Sequence, residues 1–292
     1  MILADAAFLG FAVLAAVFGM VIGSFLNVCI YRLPRGESVV TPRSHCPGCN
    51  QPVAAYDNIP VFSYLLLGGK CRRCRQRISP VYPVVELATG LVFAFAFSTF
   101  GISVEFVKFA AFGALMIVLV MTDWGLMQEE EEYKRLLPDR VTFPGMAAGL
   151  VLSQFSPVGD GATALLARIA GMTEIPWRAA SLGDAALGAL AGGGLLFGLS
   201  ELYFRLRHKE GLGLGDVKMM AMVGFFLGPK LVLVAIWLAS TTGAVIGGSF
   251  ILLSRKDWRS FEIPFGTFLG AASLVAAMWG RPLLAWYMGK LS

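Results

Sequence analysis

Two groups of residues in this chain have types and spacing that can do chemistry. Cys46-Pro-Gly-Cys49 and Cys71-Arg-Arg-Cys74 are C-x₂-C knuckles with 21 residues between them. Two such pairs, about 15–20 residues apart, match the usual spacing of a tetrahedral four-thiolate zinc site. Gly48 frees the backbone of the first turn, and Arg72, Arg73, Arg75 and Arg77 can offset the charge of four thiolates on Zn²⁺. Four protein ligands leave no open position for water, so the metal would be structural. A pair of disulfides is the alternative, disfavoured in a reducing cytosol. The fifth cysteine, Cys29, reads as a small buried hydrophobe.

The second group is acidic. Asp123 follows the apolar run 104–121, and Asp216 ends Gly211-Leu-Gly-Leu-Gly-Asp216. Charge near membrane depth is costly and needs a reason. Two carboxyl groups held close share one proton. The carboxylate can then take a proton from water while the acid protonates the carbonyl oxygen of an amide. Gly211, Gly213 and Gly215 would let a substrate backbone lie against the loop. A phosphate cradle would need Gly-Lys-Ser/Thr at its end, which is missing. A plain turn between helices is the structural alternative. Lys218 either tunes Asp216 or extends to the interface. The chain has two histidines, His45 and His208, and no zinc-hydrolase or Ser–His arrangement competes.

The elements that must position these groups are apolar. Of 292 residues 57% are hydrophobic and 15% charged, with a mean hydropathy of +0.70. A soluble chain keeps roughly a quarter charged. The pattern predicts an all-α polytopic membrane protein of about eight helices, at 6–31, 81–100, 104–121, 141–155, 182–204, 217–228, 231–253 and 266–286. The first run begins beside Asp5 with no basic residue, unlike a secretory signal, and is expected to be retained. Two runs, 141–155 and 217–228, are short for a crossing. Charge parity argues for keeping both, because eight crossings put 18 of the 24 lysines and arginines on one face, which the positive-inside rule makes cytosolic. The N-terminus then lies outside. The expected organisation is a first span at 1–31, a cytosolic Cys₄ loop at 32–80 and a membrane core of about seven helices at 81–292. The stretch 156–181 falls outside and has no motif. No internal repeat stands out, and the only biased tract is Glu129–Glu132, read as a solvated charge run. Ser24 and Asn27 are expected to make interhelical hydrogen bonds, and Glu86 to pair with a loop arginine near the surface.

With these residues assembled, a resemblance emerges. Gly213-Leu-Gly-Asp216 matches the GxGD motif of membrane aspartyl proteases, and Glu210-Gly-Leu-Gly-Leu-Gly-Asp216-Val-Lys218 resembles that of the type IV prepilin peptidases. The resemblance extends to Gly23-Ser-Phe-Leu-Asn27-Val-Cys-Ile-Tyr-Arg32-Leu-Pro34, both knuckles, Asn58-Ile-Pro-Val-Phe-Ser-Tyr64, Tyr82-Pro-Val-Val-Glu86, Leu137-Pro-Asp139 and Pro264-Phe-Gly266. It implies a bacterial inner-membrane endopeptidase. Such an enzyme cleaves the basic leader of prepilins and type II secretion pseudopilins on the cytosolic side. It also implies N-methylation of the new terminus with S-adenosylmethionine. The catalytic pair carried over is Asp123 and Asp216, with Gly213, Gly215, Lys218 and Asp139 in support. One departure stands out: Asp123 and Asp139 are 16 residues apart, a markedly longer interval than the family keeps. The unbroken span leading into Asp123 favours it over Asp139 as the partner of Asp216. The partners implied are the pilin substrates and membrane lipid, not nucleic acid. Two rival readings are a peptidase without methyl transfer and a non-catalytic membrane scaffold with a zinc docking loop. A transporter would carry more ionisable groups near the midplane.

Overall fold

The computed structural model describes residues 2–125, 137–172, 174–209, 211–254 and 264–291. The 128–135 insertion, Glu210, Arg255, Lys256 and Arg259 lie outside the described residues. Every described element is helical, apart from two isolated β-bridges. The chain forms two compact units, Met1–Leu136 and Leu137–Ser292.

In the first unit, helix α1 (Ile2–Arg32) packs along α3 (Val81–Phe100), with α4 (Val104–Trp124) beside them. Small residues set the α1–α3 contact. A Cβ on Gly23 would sit 2.8 Å from the Glu86 Cα, and one on Gly90 3.0 Å from the Ala16 carbonyl oxygen. Gly19 and Gly23 are four apart on one face of α1, so the two backbones can approach closely. Asn27 Nδ2 donates to the Tyr82 carbonyl at 3.1 Å, an interhelical bond of the kind expected. Ser103 caps α4 by accepting from the Phe106 N–H at 3.2 Å. Gly125, at φ 69°, ends it. The loop between α1 and α3 contains a 3₁₀ turn (Ala55–Asn58) and the short helix α2 (Phe62–Leu66).

The second unit contains α5 (Asp139–Leu152), α6 (Ala162–Ile169), α7 (Trp177–Ala189), a π turn (Leu190–Gly194), α8 (Leu195–Arg207), α9 (Leu214–Ser254) and α10 (Phe265–Leu291). From α7 to α8 the chain is one apolar rod, Trp177–Arg207. Helix α9 is broken at Gly228, whose φ of 81° is left-handed and is followed by Pro229, which has no N–H to donate. Met220 and Val232 both abut Gly192. An unbroken helix would hold residues twelve apart about 18 Å from each other. The chain therefore doubles back at Gly228, and α9 is a helical hairpin. Gly188 lies directly on its first arm, where a Cβ would meet the Gly228 Cα at 2.7 Å and overlap the Gly224 carbonyl.

Among the described residues, six helices are long and apolar enough to cross a membrane, against the eight spans expected. The two segments that differ are the short ones. The run at 141–155 is the 14-residue α5, about 21 Å long against a hydrocarbon layer of about 30 Å. The run at 217–228 is the first arm of the α9 hairpin. The stretch 156–181 contains α6 and the start of α7. Its loop is tied down where Asp184 accepts from the Gly161 and Thr163 N–H groups at 2.8 and 2.7 Å. A cavity of about 240 Å³ lies at the hairpin's tip, between Asp160, Leu227, Lys230 and Arg281. Twelve residues of helix, about 18 Å, separate that tip from Asp216.

Candidate functional site

The four cysteines converge. The sulfurs of Cys46, Cys49, Cys71 and Cys74 all lie within 4.8 Å of one another, and Cys46 and Cys74 are 3.7 Å apart. A tetrahedral ion with metal–sulfur bonds of about 2.3 Å needs sulfurs about 3.8 Å apart. The donor set fits a metal ion. Each knuckle is the same miniature hairpin, offset by 25 residues. The Cys46 N–H donates to the Gln51 carbonyl at 2.9 Å, and the Cys71 N–H donates to that of Gln76 at 2.8 Å. The bridges His45–Pro52 and Lys70–Arg77 repeat the relation, as do Asn50 and Arg75, both left-handed at φ 53° and 62°. A short internal repeat is therefore present after all. Its sequence trace is only the two cysteines and the glutamine five residues after each first cysteine, too little to notice without the backbone.

Local geometry splits the thiols. N–H groups of Cys74 and Arg73 aimed at the Cys71 sulfur pull its pKa down to about 6. Cys74 receives the Gln76 N–H, yet burial and its neighbouring sulfurs push it up to about 11. Four sulfurs at this range cannot all hold charge unaided, and a divalent cation relieves that repulsion. The arginines divide as well. Arg72 makes a forked pair with Asp57, at 2.7–3.1 Å, which holds that carboxyl below its ordinary range. Arg73 donates to Gln51 at 3.0 Å, joining the two knuckles.

Glu86 differs from expectation. It is buried, and its Oε2 accepts from the Val61 N–H at 2.7 Å instead of meeting a loop arginine. Val61 sits at φ 59°, unusual for a β-branched residue. The carboxylate therefore holds a strained turn at the head of α2.

Asp123 lies on the last turn of α4, 7% exposed, between buried Thr122 and exposed Trp124. It belongs to the first unit, and Asp139, Gly213, Gly215, Asp216 and Lys218 belong to the second. Asp216 is in the first turn of α9, and its N–H donates to the Gly213 carbonyl at 3.0 Å. A Cβ on Gly213 would be 3.8 Å from the Asp216 carboxylate and touch nothing else outside the loop. The backbone there stays open beside the acid. Ser200 holds the loop from α8 by donating to the Leu212 carbonyl at 3.2 Å.

Two distant motifs meet in the second unit. Gly215 lies against Leu137, where a Cβ would be 3.0 Å from the Leu137 Cβ. Lys218 grips Asp139 through both carboxylate oxygens, at 2.8 and 2.9 Å. Lys218 is thus neither a lone interfacial cation nor a neighbour of Asp216 alone; it binds Asp139, which is 54% exposed. The sequence spacing of 79 residues concealed this pair.

Comparison with known proteins adds a separate line. Residues 17–100 match the Bacterial Peptidase A24 N-terminal domain, and residues 133–248 match the Type IV leader peptidase family. A prepilin leader peptidase/N-methyltransferase of Aeromonas salmonicida is 33% identical, with 95% of this chain and 94% of the relative aligned. The protein of that name from Aeromonas hydrophila is 34% identical, over 94% and 93% of the two chains. The one from Bacillus subtilis is 31% identical, over 93% and 96%. No solved structure matches the chain.

Proposed function

This chain belongs to the type IV leader peptidase family, and from that premise we propose that it is a membrane aspartyl endopeptidase that removes the basic leader of type IV prepilins and type II secretion pseudopilins. In this reading Asp123 and Asp216 share a proton around one water. The carboxylate deprotonates the water as it attacks the carbonyl preceding the mature N-terminus, and the acid protonates that carbonyl's oxygen. The proton taken from water then passes to the leaving amine. Gly213 and Gly215 leave room for the substrate backbone beside Asp216.

The observation that carries the assignment of roles is the Asp139–Lys218 pair. Both carboxylate oxygens of Asp139 are engaged by the Lys218 ammonium, a contact between two helix starts that gives Asp139 a positioning role. That favours buried Asp123 as the partner of Asp216. Lys218 and Asp139 then act as a brace that seats the start of α5 on the start of α9.

The knuckles would hold Zn²⁺ through Cys46, Cys49, Cys71 and Cys74, with every position filled by sulfur and the ion ordering the loop. N-methylation of the new terminus with S-adenosylmethionine is proposed from the relatives' names alone. The described residues contain no strand–helix nucleotide cradle, so none is assigned to that cofactor. The proposed setting is the bacterial inner membrane, with the N-terminus outside and the carboxylates on the cytosolic side.

The deciding experiment incubates detergent-purified protein with a prepilin and follows leader release by mass spectrometry, with labelled S-adenosylmethionine present. Leader release with label on the new terminus is expected. Release without label confines the enzyme to proteolysis, and an intact prepilin refutes the reading.

A further inference from the structure

The knuckle loop carries an apolar surface that neither the peptidase reading nor the metal site employs. In α2, Phe62 is 55% exposed, and Leu65 and Leu66 are each 70% exposed. Tyr56 and Ile59, just before them, are exposed too. These five large side chains fall within eleven residues of one loop. Isolated exposed apolar residues need no explanation, but a cluster does.

The structure fixes the depth of this cluster. The Val61 N–H, at the head of α2, touches the Glu86 carboxylate at 2.7 Å. Glu86 lies five residues into α3, about 7 Å along its axis. Helix α3 has only 20 residues, so a crossing uses its whole length, about 30 Å. Glu86, and Val61 with it, therefore lie about 7 Å to the acyl-chain side of the headgroup boundary. A surface helix seats its apolar face about 5–10 Å into that boundary. The loop is also tethered at both ends, by α1 at Arg32 and by α3 at Val81, to one membrane face. Its charge suits the same neighbour. Residues 33–80 contain Arg35, Arg43, Lys70, Arg72, Arg73, Arg75 and Arg77 against only Glu37 and Asp57. Basic residues beside an anionic leaflet are attracted to its headgroups.

We infer that α2 is an interfacial helix. Phe62, Leu65 and Leu66 insert among the lipids of the leaflet where α1 ends, and the arginines of the second knuckle contact anionic headgroups. The membrane thus becomes a third support for the knuckle loop, beside the metal and the Glu86–Val61 clamp.

The test uses the full chain in nanodiscs of phosphatidylcholine, with or without phosphatidylglycerol, carrying a diazirine amino acid in place of Leu65. A second protein carries it in place of Val40, which is 80% exposed in the same loop and serves as the aqueous control. After illumination, mass spectrometry should find lipid adducts at position 65, more of them with phosphatidylglycerol, and water adducts at position 40. Water adducts at position 65 in both bilayers would overturn the insertion. Adducts to added prepilin in place of lipid would make this face a substrate surface and would also overturn it. Equal lipid yields in the two bilayers would overturn the headgroup contact. The readout needs no catalysis, so a failed cleavage assay would leave it standing.

Discussion

At the scale of single residues, the acids sort by what surrounds them. Asp123→Asn and Asp216→Asn should each lower leader cleavage roughly 10²–10⁴-fold, the usual contribution of a positioned acid or base. Asp139→Asn should cost far less and act through folding, since Lys218 loses its clasp. An active Asp123→Asn enzyme would transfer the role to another acid. The metal site makes a different prediction at this scale. The metal-bound form holds fewer protons than the empty one, so acid favours release. Cys71 begins ionised because its pKa is drawn down to about 6, and protonation there becomes competitive only below that value. Metal content after dialysis should fall as the pH is lowered, and content independent of pH would contradict the site. Brief exposure to a chelator should leave cleavage intact. Much of this was legible in the sequence, because cysteine spacing and a glycine-flanked aspartate are local signals. The Lys218–Asp139 pair and the Glu86–Val61 clamp were not, since each depends on how one helix end seats on another.

At the scale of elements, glycines do the positioning. Gly188 and Gly224 meet backbone to backbone where α7 lies on the first arm of α9, the arm that begins with Asp216. A methyl group at either position has only backbone to push against. Gly224→Ala should therefore destabilise the protein by about 1–3 kcal/mol, as overpacked sites do, and displace the aspartate loop at the end of the same arm. Gly198→Ala is the matched control. That glycine has nothing within 4 Å, so it should be neutral or gain up to about 1 kcal/mol from helix propensity. Unfolding in mixed micelles measures both, and an equal response would show that the contact is unimportant. Apolar runs marked the helices in the sequence and set 217–228 apart from 231–253 as two spans. The backbone shows what the gap between them is, a hairpin whose arms both pack on Gly192.

At the scale of the whole molecule, the open quantity is the number of crossings. Among the described residues composition yields six long apolar helices, whereas charge parity favours eight. The two accounts differ only over α5 and the first arm of α9. The α9 hairpin bears on the second of these. Its arms run in opposite directions, so a first arm that crosses brings Gly228 to the face opposite Asp216 and lets the second arm return. Lys230 does not contradict this placement, because its ammonium is neutralised there by Asp160, 3.4 Å away. A 14-residue arm is short for a flat bilayer, and local thinning is the physical means of accommodating it. Reporter fusions decide the matter. Green fluorescent protein joined after residue 80 or after residue 254 should fluoresce, as expected on the cytosolic face, and alkaline phosphatase joined after residue 160 should be active outside. A cytosolic position 160 would mean that α5 does not cross. The later basic clusters would then change sides, and Asp216 would be carried to the face opposite Asp123, where no proton could be shared.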